Sequence, residues 1–253
     1  GIVTGVVFAV GVAVFLSGGI ERITGALEKA VPVLGGIFLL TGILIIFLRI
    51  HQILPALKSI FAGAFHFSSA AGGVLGSGMA LAFRYGVGNG LFSHEAGLGS
   101  AGLAHGACGA TPERQGLWGI FEVFADTIVI STVSALMILT SGVPNGSGSV
   151  LTAAGAVLGP VGEWILAACL ILFAFLSILS WSCYGETCFV WLCGKKSAVL
   201  FRILFVISPL IAVFAPEGRL WESAEIINGC MMILNITGLL GFRKDLKTIA
   251  GLK

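Results

Sequence analysis

Charge is what this sequence has least of. Of its 253 residues, 10% are Asp, Glu, Lys or Arg, and the formal net charge is +2. Soluble domains carry about a quarter charged residues, so a water-facing globular surface is excluded. So small a net charge makes no case for a nucleic-acid partner. The alternating ten-residue segments of an outer-membrane barrel are also missing, which leaves helices as the spanning elements.

Enzyme signatures are missing as well. His94-Glu95 is not followed by a second histidine at the metalloprotease spacing, because that position is Leu98. Gly73, Gly76 and Gly78 precede no Lys-Ser or Lys-Thr pair, so no phosphate loop forms there, and there is no Gly-x-Ser-x-Gly elbow. The six cysteines lie at or near apolar stretches without the paired spacing of a disulfide or zinc framework, and read as small packing residues. The reading is of a non-enzyme with no cofactor and no resident metal. There is no initiator Met, and the first apolar run lacks the basic flank of a signal peptide. The expectation is a carboxyl-terminal fragment whose amino-terminal helices lie upstream.

What is present is apolar length. Hydrophobic residues make up 57% of the chain, and its mean hydropathy is +1.05. Residues 2–16 form a first run that stops at Ser17-Gly18-Gly19, and IERITGALEK after it reads as an amphipathic connector. Residues 31–48 are long enough to cross. Residues 51–71, interrupted by Pro55 and Lys58, read as a short interfacial helix. Residues 117–139 form a span, 150–161 a short lead-in, and 164–178 a further span continued by WSCYGETC. Crossings at 200–214 and 226–240 precede a basic tail over 243–253. The spacing predicts about seven spans, counting one broken helix once.

With connections alternating between sides, one side receives Arg22, Lys29, Arg114, Lys195, Lys196, Arg202 and the basic tail, and the other Arg49, Lys58 and Arg219. The positive-inside rule makes the first side cytoplasmic, with the carboxyl terminus inside.

The broken helix is expected over residues 86–108, GVGNGLFSHEAGLGSAGLAHGAC. It holds seven glycines, the His94-Glu95 pair and His105 inside an apolar chain. In lipid, irregular backbone is tolerated only where it is buried in protein or lines a water-filled cavity. At such a break, free N–H groups can meet a carboxylate and freed carbonyls an ammonium or cation, while glycines let the backbone come close. Glu95 is therefore a candidate gate or backbone-orienting group, beside the plainer reading of a structural acceptor. Glu122 and Asp126, one helical turn apart, suit a polar path or a helix-to-helix hydrogen bond. Ser177 and Ser180 suit a sodium shell or a packed interface. Arg84 is a gate candidate or a snorkelling cation near the outer end.

These motifs resemble those of the alanine or glycine:cation symporter family. AFRYGVGNGLFSHEAGLGSAGLAH looks like the family signature, usually written RGLFSNEAGLGSAPIAH. RQGLWGIFEVFADTIVISTVSALMILTSG, LSGGIERITGALEKAVP and FAFLSILSWSCYGE are similar to other family segments, so the resemblance covers nearly the whole chain. It implies an all-α LeuT-type fold of two inverted repeats in one transmembrane domain. The first repeat would end over residues 1–50, the second would run over 51–242, and 243–253 would be the tail.

It also implies sodium-coupled symport of alanine or glycine across a bacterial or archaeal cytoplasmic membrane. The substrate would lie at Asn89, Phe92, Ser93, His94, Glu95, Ala96 and Gly97, and the ion at Ala174, Ser177 and Ser180. The implied partners are a small amino acid, Na+ and the lipid bilayer. A passive channel and an inactive truncated transporter stand as alternatives. The sequence departs from the family pattern in three signature residues, with His94 in place of Asn, Asn89 in place of Arg and Gly102 in place of Pro. Leu176-Ser177 replaces a hydroxyl pair.

Overall fold

The computed structural model describes residues 1–65, 73–144 and 148–242. All regular elements among them are helical: α1 (Ile2–Ser17), α2 (Gly19–Leu48), α3 (Ile53–Phe65), α4 (Gly73–His94), α5 (Ser100–Gly106), α6 (Pro112–Phe124), α7 (Ser131–Thr140), α8 (Val150–Cys193), α9 (Ala198–Ala212) and α10 (Glu217–Gly241). A π-helical turn, Ala125–Ile130, joins α6 to α7. The basic tail lies outside the described residues.

Four helical stretches among the described residues are long and apolar enough to cross a bilayer: Gly19–Leu48, Pro112–Thr140, Val150–Cys193 and Gly218–Gly241. Residues Ile2–Ser17 form a shorter apolar helix. The expected connector and the span after it are one helix, α2, because nothing between Ile20 and Val31 breaks the periodicity and Pro32 is accommodated inside. The lead-in and the span from residue 164 likewise merge in α8, whose 44 residues bend at Gly159 (φ 70°, ψ −166°) before Pro160. At 1.5 Å per residue a straight helix of the 44 residues of α8 would measure about 66 Å, far beyond the ~30 Å hydrocarbon core.

The chain divides into two compact units, Gly1–Thr41 with Val161–Ser223, and Gly42–Pro160 with Ala224–Lys253. In the first, Val12, Leu16, Ile23, Leu34, Cys169, Leu176 and Leu179 form the buried core. Phe8 and Phe15 meet Phe175 edge-on at 5.8 and 5.7 Å between centroids, the favoured geometry for aromatic pairs. Small residues allow this closeness. A Cβ at Gly11 would stand 2.9 Å from the Phe175 ring, and one at Gly5 would stand 2.7 Å from Val213 Cγ2. With no hydrophobic drive between helices in lipid, such close backbone approach is a main source of association.

The same unit holds a polar clamp. Arg202 on α9 donates from Nε and Nη2 to both carboxylate oxygens of Glu186 on α8, at 2.7 and 2.6 Å. Glu186 is 12% exposed at its side chain, so the fork neutralises a carboxylate almost out of solvent.

In the second unit, a Cβ at Gly42 on α2 would meet Val133 Cγ1 at 2.5 Å, which brings α2 onto α7. Met137 and Thr140 are buried there. Apolar side chains face outward in both units, such as Leu40 and Trp164 in the first and Trp118 and Ile120 in the second, as suits helices solvated by lipid chains.

Candidate functional site

The break expected in the glycine-rich stretch lies between α4 and α5. α4 ends at His94, α5 begins at Ser100, and residues 95–99 are not helical. Three of the five have positive φ: Glu95 at 52°, Gly97 at 89° and Gly99 at 93°. Glu95 is the one non-glycine with positive φ among the described residues. A left-handed L-residue is strained by about 1–2 kcal/mol, so the surrounding contacts must hold it there.

An interrupted helix leaves the last carbonyls of one half and the first N–H groups of the other without helical partners. Some are met locally. The Ala96 N–H donates to His94 Nδ1 at 3.1 Å, and the Leu98 N–H donates to the Glu95 carbonyl at 3.1 Å. One is met from far along the chain, where Asn235 Nδ2 on α10 donates to the Gly97 carbonyl at 3.0 Å. Leu98 is buried beside them. Ser100 is only 2% exposed, and its Oγ has no hydrogen-bond partner among the described residues. A break lined by unspent backbone groups and a buried hydroxyl is suited to a small zwitterion, which brings both donors and acceptors.

The predicted substrate residues fall on this feature. Phe92 and His94 are half-buried in the last turn of α4, where Asn89 and Ser93 are exposed, and Glu95, Ala96 and Gly97 form the start of the break. Arg84 lies two turns and more before it and pairs with Glu225 of α10 at 3.9 Å, both side chains being exposed. Such a pair is weak, about 0–1 kcal/mol.

The two acidic candidates of the next helix have separate surroundings. Glu122 Oε2 lies 3.2 Å from His105 Nε2, and His105 Nδ1 lies 2.7 Å from Gln115 Oε1. His105, at the end of α5, is thus held across one face of α6, with Gly119 between its two partners leaving room for the ring. Asp126 sits in the π-helical turn, where its carbonyl accepts from both the N–H and the Oγ of Ser131. π-Turns inside helices mark functional sites more often than chance.

The predicted ion residues belong to the other unit. Ala174 and Ser177 are exposed on α8, and Ser180 is half-buried with its Oγ donating to the Leu176 carbonyl at 3.2 Å. Ser177 lines an open apolar groove of about 890 Å³ with Phe8, Trp181, Phe205, Ser208 and Pro209. Among the described residues no cluster of three or more His, Cys, Asp or Glu side chains could hold a metal ion.

Sequence reasoning missed Asn235 and Gln115. Asn235 stands in a run read as a plain crossing, and its one signal was being an uncharged amide among apolar neighbours. Gln115 stands just before the span expected over residues 117–139 and carries no signal of its own.

Comparison with known proteins identifies the family. The family model described as "Sodium:alanine symporter family" matches residues 1–250. The protein named Sodium/alanine symporter AgcS, from Methanococcus maripaludis, is 38% identical over 247 residues, covering 94% of this chain and 54% of that one. A Haemophilus influenzae protein named as a transporter is 33% identical over 250 residues, covering 96% and 55%. Bacillus subtilis has "Probable sodium/glutamine symporter GlnT", 36% identical over 239 residues, covering 90% and 49%. The chain spans about half the length of the curated relatives it matches. Apolar helices able to cross a membrane, a helix interrupted within its glycine-rich signature, and a match over nearly every residue converge on one conclusion: this chain belongs to the sodium:alanine symporter family, a family of transporters and not of enzymes.

Proposed function

We propose that this chain carries part of the translocation machinery for sodium-driven symport of a small neutral amino acid, alanine or glycine. The observation that carries the reading is the five-residue interruption at 95–99, with three positive-φ residues, which ends the helical hydrogen bonding of α4 before α5 begins. Glycine at positions 97 and 99 lets the main chain, not side chains, contact the ligand. The substrate's charged groups meet the backbone from Asn89 to Gly99, with Phe92, Ser93, His94 and Ala96 around it. Glu95 orients or gates the break, and Arg84, Glu122 and Asp126 belong to the gate or polar path. Ser177, with Ala174 and Ser180 on the same helix, contributes to the sodium shell. Sodium here is cargo and coupling ion, not a cofactor.

The fold read with this function is the LeuT type, a single multi-pass transmembrane domain of the cytoplasmic membrane with its carboxyl terminus inside. The family match and the interrupted helix support it. Alternating access then moves the interrupted helix against a scaffold.

The test is uptake of labelled alanine and glycine into proteoliposomes holding the full-length protein. Uphill accumulation that collapses when the sodium gradient is dissipated is expected. Downhill flux indifferent to that gradient would identify a passive pore instead. The similarity to a relative named for glutamine makes excess unlabelled glutamine the informative competitor. Competition stronger than by alanine or glycine would reassign the substrate.

A further inference from the structure

We propose that Asn235 is a positioning residue of the binding site: its carboxamide, reaching from α10, fixes the peptide at Gly97 and so sets the backbone geometry that meets the substrate. The inference rests on the reading of residues 95–99 as the substrate site and adds the element that holds that site in shape.

Three contacts carry it. Asn235 Nδ2 donates to the Gly97 carbonyl at 3.0 Å, joining positions 138 apart in sequence. The same side chain lies against Gly99, where an added Cβ would stand 3.2 Å from Asn235 Oδ1 and 3.3 Å from Cγ. One turn earlier on α10, Met232 Cγ lies 3.9 Å from where a Cβ of Gly97 would be. Asn235 and Met232 therefore address both left-handed glycines.

The chemistry suits a neutral amide. Between left-handed residues at 97 and 99, the Gly97 carbonyl has no helical donor, and leaving it bare in a low dielectric is costly. A carboxamide satisfies it without bringing charge into the site. A carbonyl has two lone pairs, so the amide takes one, fixes the peptide plane and leaves the other. Next in the chain, the buried Ser100 Oγ has no partner among the described residues. That hydroxyl is an independent sign that the polar groups here are kept for an occupant.

Alternative side chains fail in separable ways. Asp turns the donor into an acceptor facing a carbonyl. Leu keeps the volume and removes the donor. Gln needs an extra methylene where Gly99 already stands at contact.

The experiment compares native protein, Asn235→Asp, Asn235→Leu and Thr237→Ala as full-length transporters in proteoliposomes. Labelled alanine uptake under an inward sodium gradient is read as KM and as Vmax per monodisperse transporter. Thr237 is the control, exposed on α10 with its Oγ1 donating to the Ile233 carbonyl of the same helix. The expected result is a KM raised about tenfold in both Asn235 variants, the scale of one lost hydrogen bond that leaves its acceptor bare, with Vmax within about twofold. A merely structural role would lower the yield of monodisperse transporter and leave KM alone. A KM within about twofold of native in both variants overturns the proposal.

Hydrogen exchange without substrate gives a readout independent of transport. Amides of residues 95–99 should exchange about tenfold faster in the Asn235 variants than in native protein or Thr237→Ala. If native protein moves no alanine, the proposed function fails by itself, and exchange decides this inference, with unchanged protection in both variants overturning it.

Discussion

His94 Nδ1 accepts the Ala96 N–H at 3.1 Å across the first residues of the break. A ring nitrogen that accepts an N–H carries no proton, so this arrangement requires His94 to be free of a proton at Nδ1. Glu95, the residue between them, is left-handed at φ 52°.

The first prediction concerns that acceptor. His94→Asn supplies an amide oxygen in its place, whereas His94→Leu removes it and leaves the Ala96 N–H without this partner. Alanine uptake should fall at least about fivefold in His94→Leu and less than about twofold in His94→Asn, the scale of one lost hydrogen bond. Equal losses in the two variants would show that the ring nitrogen's acceptor role does not matter to the site.

Gly99 in the break and Gly102 in α5 should behave oppositely. Gly99 has φ 93° and faces Asn235, whereas a Cβ at Gly102 in α5 meets nothing within 4 Å. Gly99→Ala should destabilise the protein by about 1–2 kcal/mol and weaken alanine uptake at least tenfold. Gly102→Ala should be neutral or stabilise by up to about 1 kcal/mol, since alanine favours the helix. Thermal unfolding in detergent, read beside uptake, distinguishes them.

The Glu186–Arg202 fork should matter to stability more than a surface ion pair does. Arg202→Ala strands a carboxylate that is 12% exposed, with an expected cost of about 1–3 kcal/mol. Glu186→Gln leaves no stranded charge and should cost less. A double-mutant cycle on melting temperature, with Glu186→Gln/Arg202→Ala as its corner, should recover part of the Arg202→Ala loss. Strict additivity would show that the two side chains are not coupled.

A fourth prediction tests the close approach of α1 to α9. A Cβ at Gly5 would lie 2.7 Å from Val213 Cγ2 and 3.3 Å from the Pro209 carbonyl oxygen, whereas one at Gly35 on α2 has nothing within 4 Å. Gly5→Ala should lower stability by about 1–3 kcal/mol, and Gly35→Ala should not. Equal melting temperatures for the two variants would contradict the packing.

Much of the local structure was legible from residue order. The stop at Ser17-Gly18-Gly19 appears as the end of α1 and the positive φ of Gly19. The break in the glycine-rich stretch falls between His94 and Ser100. What was misread were joins. The connector merged with its span in α2, and the lead-in merged with the next span across Gly159. Polarity marks where a helix meets water, not where its hydrogen bonding ends, so an amphipathic stretch gives no boundary unless a breaker stands in it.

The site divides in the same way. That residues 86–108 could not be a plain apolar helix follows from composition alone, because seven glycines, two histidines and a glutamate among apolar neighbours demand a buried or watered break. The family also follows from sequence, through the match over residues 1–250. Which distant groups complete the break was decided by tertiary structure. Pairing of Asn235 with Gly97, and of His105 with Gln115 and Glu122, joins segments whose spacing carries no period. A buried carbonyl must find a donor, but local sequence does not say which helix will bring it. Only packing places α10 against the interruption and makes one amide in an apolar run the partner of a peptide 138 positions away.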